Sequence, residues 1–144
     1  MRRSAVWRIG AITALALMMT GCGAGTPQAY TELSAKQTSS DHLPDGYAHQ
    51  DGIDADSVRL VGTHEANDYF LARFSDTDTK NGLCILIVPV EAPKDGYRAC
   101  SGGTGELTAH MQGQRGVRYL PPGTPEIEGH DDWIRLSDNL VLMS

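Results

Sequence analysis

Leu83-Cys84-Ile85-Leu86-Ile87-Val88 is an unbroken apolar run, and Gly96-Tyr97-Arg98-Ala99-Cys100-Ser101 follows it after the turn-forming stretch 89–95. Six apolar residues without polar alternation have the length of a strand whose two faces are both covered, which predicts a central position in a sheet. Antiparallel pairing around Ala92 sets Cys84 opposite Cys100, Leu86 opposite Arg98 and Val88 opposite Gly96. Directly opposed residues hold their Cβ atoms roughly 4.5–5.5 Å apart, close enough to be drawn into a disulfide. A one-residue slip would separate the two thiols, so the bridge and the register stand or fall together. Closing a loop of this length contributes roughly 3 kcal/mol in the chain-entropy description. The competing reading, a redox or metal-binding thiol pair, lacks the Cys-x-x-Cys spacing such sites use.

The same texture extends on either side. Residues 58–62 and 69–74 are strand candidates, the second with Phe70, Ala72 and Phe74 on one face and Tyr69, Leu71 and Arg73 on the other. His64-Glu65-Ala66-Asn67 suits a hairpin connection between them. Further runs lie at 106–111, 117–120, 133–136 and 140–143, with Asp138-Asn139 as a turn between the last two. No apolar stripe at three- and four-residue spacing lasts beyond a single turn. Residues 57–144 are therefore expected to form an all-β domain, a small antiparallel sandwich or barrel-like meander of seven or eight short strands with one disulfide. An α+β arrangement is the alternative.

Upstream, residues 23–56 hold only Tyr30, Leu33, Leu43, Tyr47 and Ile53 as large apolar side chains. That is little to set against a conformational entropy of about 1–2 kcal/mol per ordered residue. A flexible tether is expected from 23 to about 40, passing into an irregular lead-in near Leu43-Pro44-Asp45-Gly46-Tyr47 that lies on the domain. The chain divides accordingly into 1–21, 22–56 and 57–144.

Residues 1–21 have the layout of an export signal, with Arg2, Arg3 and Arg8 ahead of an apolar run at 9–19. At about 1.5 Å per residue a helix of that run crosses roughly half of a ~30 Å hydrocarbon core, too little for a stable span. Met19-Thr20-Gly21-Cys22 then resembles the lipobox of bacterial lipoproteins, with Met where Leu is usual. The resemblance implies that the Cys22 thiol receives a diacylglycerol, that cleavage follows on its N-terminal side, and that the mature chain is lipid-anchored on the extracytoplasmic face of the cell membrane. Two acyl chains give a stable anchor where one is marginal. Ordinary secretory cleavage leaving a free thiol is the alternative, and a twin-arginine route is disfavoured by Ser4 and Ala5 after Arg2-Arg3. The three cysteines then divide into Cys22 for lipid and Cys84 with Cys100 for each other.

The full chain carries 18 acidic and 12 basic side chains, a net charge of −6. Removing 1–21 takes three basic residues and no acid, leaving −9. Such a chain is repelled by nucleic acid and by anionic lipid, so its membrane residence rests on the anchor. The landmarks SVRLVG, YFLAR, CILIV, ACSGG and WIRLSDNLVL, spread from Ser57 to Leu142, also resemble a loose set of uncharacterised two-cysteine lipoproteins of actinobacteria. That resemblance implies architecture and no activity.

No motif carries evident chemistry. Ser101-Gly102-Gly103-Thr104-Gly105 lacks the Gly-Lys-Ser/Thr ending of a phosphate loop. Asp76-Thr77-Asp78-Thr79-Lys80-Asn81-Gly82 begins like a calcium loop, but Lys80 stands where an oxygen ligand belongs and no Glu closes it. Asp51, Asp54 and Asp56 form an acidic approach to the domain, with weak calcium binding as the alternative reading. His42, His49, His64, His110 and His130 show no metal-ligand spacing. His130-Asp131-Asp132 has no Gly-x-Ser-x-Gly elbow to supply a nucleophile. Trp133, Tyr119 and Tyr97 are candidates for a groove of stacking rings, set against ordinary core or rim positions. The expectation is a non-enzymatic binding or structural module of the cell envelope, without cofactor, contacting membrane lipid and an envelope protein or the cell wall. An envelope hydrolase whose site assembles only in the fold is one alternative. A metal- or solute-sensing lipoprotein is another.

Overall fold

The computed structural model describes residues 30–76, 79–102, 105–124 and 132–144. The expected signal, the lipobox with Cys22, and Thr77-Asp78, Gly103-Thr104 and His130-Asp131 of the three motifs lie outside the described residues. The fold is all-β, with eight strands in two antiparallel sheets among the described residues.

The larger sheet is a meander of β1 (Arg59–His64), β2 (Asn67–Asp76), β3 (Thr79–Pro89) and β4 (Tyr97–Ser101), in that order across the sheet. β3 lies between β2 and β4, as its unbroken apolar run requires, and Leu83, Ile85, Leu86 and Ile87 are at most 1% exposed. The register is the one expected, with Cys84 opposite Cys100 and Leu86 opposite Arg98. Cys84 and Cys100 form the disulfide, their Cα atoms 4.1 Å apart. β1 and β2 join through the Glu65-Ala66 turn, with His64 facing Asn67. A bulge between Leu60 and Gly62 shifts that register by one residue.

The smaller sheet contains β5 (Leu107–Ala109), β6 (Val117–Tyr119), β7 (Ile134–Arg135) and β8 (Leu140–Leu142), ordered β5-β6-β8-β7. β7 and β8 pair across the Asp138-Asn139 turn. Its inner residues Val117, Tyr119, Leu140 and Leu142 are 0% exposed and pack on Tyr69, Leu71, Leu83, Ile85 and Ile87 of the larger sheet. Burying these side chains supplies most of the sandwich's cohesion, at about 1.5–3 kcal/mol for a fully buried large aliphatic residue.

The other face of the larger sheet, Phe70, Ala72, Cys84, Leu86 and Val88, is covered by residues preceding β1: Leu43, Tyr47, Ile53 and Val58. Gly46, at φ 88°, lets the 44–47 turn close, the Tyr47 N–H donating to the Pro44 carbonyl at 3.2 Å. This aims Tyr47 at the sheet, where its hydroxyl donates to the Tyr97 carbonyl and its ring lies against Gly96. A Cβ on Gly96 would come within 2.7 Å of that ring. Residues 43–58 thus rest on the larger sheet.

Part of the stretch expected to be a flexible tether packs on the domain. From Tyr30 onward the chain is packed: Tyr30 and Leu33 join the core between the sheets, Leu33 from the one-turn helix α1 (Thr31–Ser34). Tyr30 meets Tyr119 edge-on, ring centroids 5.7 Å apart. A few widely spaced apolar residues suffice here because they fill gaps in an existing core and have no core of their own to build.

Candidate functional site

The two ends of the sandwich differ. At one end lie the Glu65-Ala66 turn, the exit of β3 at Pro89, the start of β4 and the β5–β6 turn. The Val90 N–H donates to the Ala66 carbonyl at 2.9 Å, tying two of these loops together. Between them opens a cleft of about 620 Å³, lined by Glu65, Asn67, Glu91, Gln114 and Arg115 among others. Glu65 has a left-handed backbone, φ 53°, a conformation uncommon for a residue with a Cβ and concentrated at turns and functional sites. His64 Nε2 is 3.5 Å from its carboxylate. Val90, 55% exposed, stands at the same end. Two carboxylates, a guanidinium and two amides make this cleft suited to polar ligands.

At the opposite end the described chain begins. Tyr30 packs against Tyr119, and burial pushes the Tyr30 phenol pKa up while the nearby Arg73 charge pulls it down. Arg73 is six residues along β2 from Asn67, about 20 Å at 3.3 Å per residue. A second cleft, about 410 Å³, lies here between α1 and β1, lined by Glu32, Lys36, Thr38, Asp41, Arg59 and Ser137 among others.

Two charged residues of this region are buried for structural work. The Arg59 guanidinium donates to the carbonyls of Ala35, Asp56 and Val58. Asp41 Oδ1 accepts from the Leu60 N–H at 2.8 Å, and Oδ2 accepts from the Thr38 N–H at 2.6 Å and its hydroxyl at 2.8 Å. Burial acts to raise the Asp41 pKa, but these hydrogen bonds and the Arg59 charge outweigh it and hold the pKa below the usual carboxylate value. On the opposite face of the larger sheet, burial pushes the Tyr47 phenol up to about 12, against the opposing pull of Arg98. Arg98 itself donates to the carbonyls of His49 and Asp51 and lies over the Phe74 ring at 5.5 Å.

Cys84 and Cys100 meet in the disulfide, whereas the described ring candidates are not brought together. Tyr119 is in the core, Tyr97 is 38% exposed on β4, and Trp133 lies under the Arg118 guanidinium at 5.9 Å, so the three rings form no common groove. Asp54 accepts from the Asp56 N–H, and Asp51 contributes its carbonyl to Arg98. Among the described residues no group of three His, Cys, Asp or Glu side chains is placed to hold a metal ion. No helix among them is long and apolar enough to cross a membrane. Glu65, Glu91 and Arg115 carried no sequence signal, since each owes its position to a different turn. Asp41 had one: Thr38-x-x-Asp41 is a capping-box spacing, and both reciprocal bonds are present around the short 3-10 turn Ser39–Asp41. Comparison of the chain with known protein families, with curated proteins and with solved structures finds no match.

Proposed function

We propose that this chain is a lipid-anchored extracytoplasmic binding module of the bacterial cell envelope that holds its loop-end cleft away from the membrane. The observation that supports this reading is the polarity of the domain. Tyr30 packs at one end, the 620 Å³ cleft lies between the loops of the other, and Tyr30 lies only eight positions after Cys22. At full extension eight residues reach roughly 26–29 Å, so a lipid on Cys22 keeps the α1 end near the headgroups. Loops gathered at one end of a rigid sandwich are where such folds commonly place recognition.

The test uses the full chain in its own membrane. Mass spectrometry is expected to find a diacylglycerol on Cys22, and Cys22→Ser is expected to release the protein. A photo-crosslinking residue at Ser34 is expected to label lipid, whereas one at Gln114 is expected to label none. An unmodified Cys22, a Cys22→Ser protein that stays on the membrane, or equal lipid labelling from both positions would overturn the reading.

A further inference from the structure

The two clefts differ in what their charged side chains are already bound to. In the α1 cleft Arg59 and Asp41 are occupied by backbone groups, and Glu32 accepts from the Ser137 hydroxyl. In the loop-end cleft the charges are less committed. The ion pairs of the described residues are His64 with Glu65 and Glu106 with Arg118, so Glu91 and Arg115 have no counter-charge among them. Arg115 donates through Nη1 to the Asp132 carbonyl at 3.3 Å, and its guanidinium carries further N–H donors. Glu65, with its left-handed backbone, stands where Gly or Asn would carry less strain. Asn67, 7% exposed, adds a buried amide to the same lining. The cleft's volume of about 620 Å³ is within the ~300–1,000 Å³ usual for small-ligand sites.

The lining narrows the ligand. No aromatic side chain among the described residues lines the cleft, so a sugar ring finds no flat face to stack on. A phosphate or other simple anion meets Glu65 and Glu91, and a bare metal cation meets Arg115. A neutral apolar molecule would desolvate all three charges and pair none of them. A ligand that answers all three carries ammonium charge for the carboxylates and a carboxylate for the guanidinium, whose planar fork takes a carboxylate by two parallel hydrogen bonds. Resting on the reading of this cleft as the recognition site, we infer that its ligand is a short zwitterionic peptide, with ammonium charge held by Glu65 and Glu91 and a free carboxylate held by Arg115.

Alanyl-lysine, which carries two ammonium groups and one carboxylate, is the probe. An NMR titration of the full-length protein in detergent micelles is expected to saturate, with the largest shifts at the Glu65-Ala66 turn and at Gln114 and Arg115. Converting the peptide's carboxylate to the amide is expected to weaken binding about tenfold or more, as is Arg115→Ala, and the two losses should not add because both remove the same contact. Glu65→Gln and Glu91→Gln are expected to weaken binding to a similar degree without lowering the melting temperature, since both side chains are exposed on turns. Absence of saturation, shifts centred elsewhere, or binding indifferent to both the amide and Arg115→Ala would overturn the proposal. Tighter binding of phosphate or methyl glucoside than of the peptide would do the same. The Cys22→Ser protein is expected to bind alanyl-lysine as tightly as the lipidated one. A failed titration with Cys22 lipidated therefore removes the ligand and leaves the anchored orientation standing, whereas an unmodified Cys22 with an intact titration does the reverse.

Discussion

The two sheets contribute unequally. β2 and β3 of the larger sheet run for 10 and 11 residues, whereas no strand of the smaller sheet exceeds three. The larger sheet is covered on both faces, by the smaller sheet on one and by residues 43–58 on the other, and it carries the disulfide. It is the middle layer of three. The smaller sheet is held mainly through its inner face, and its outer face presents Arg118 and Trp133. Stability should accordingly be concentrated in the larger sheet, with the smaller sheet acting as the lid on its core.

Deleting residues 140–144 puts that view under the greatest load. β8 lies between β6 and β7, and Leu140 and Leu142 are fully buried. The deletion is expected to abolish cooperative unfolding of the whole domain, because Leu71, Ile85 and Ile87 lose their cover. Melting unchanged from wild type would show that the larger sheet stands alone.

Replacing Cys84 and Cys100 together by Ala is expected to cost roughly 3 kcal/mol in a urea titration. A negligible cost would move the centre of stability elsewhere. Asp41→Ala, which removes the acceptor for Leu60 on β1, is expected to cost about 1–3 kcal/mol at neutral pH. The Asp41 pKa is lowered in the fold, so its contribution is complete above the unfolded carboxylate value of about 3.9 and disappears as pH falls through the lower folded value. The gap between wild type and Asp41→Ala should therefore narrow in acid; a gap independent of pH would assign the effect to packing alone. The smallest effect belongs to the smaller sheet's exposed ion pair of Glu106 with Arg118. Glu106→Gln is expected to change stability by no more than about 1 kcal/mol, and a larger loss would show that this outer face does structural work.

How much was legible in the sequence follows the same division. The β3–β4 register could be read because a continuous apolar run, a turn and two cysteines all constrain one alignment, and a slip would have broken it. The faces of β2 were legible from alternation: Phe70 and Ala72 pack under Tyr47 and Val58, while Tyr69 and Leu71 face the smaller sheet. The burial of Tyr30 and Leu33 was not legible, since irregular chain buries single residues at no fixed period. The cleft at the loop end was also hidden, because Glu65, Glu91 and Arg115 are far apart in sequence and meet only through the pairing of three separate turns.

The Asp41 carboxylate also blocks part of a sheet edge. β1 is an edge of the larger sheet, and an edge with open N–H groups is a template on which a second chain can add a strand. At Leu60 that N–H already donates to Asp41. A carboxylate accepts a hydrogen bond as a peptide carbonyl does but offers no N–H in return. A ladder that begins at Leu60 stops there, leaving neighbouring copies of the domain without a shared β edge at that position.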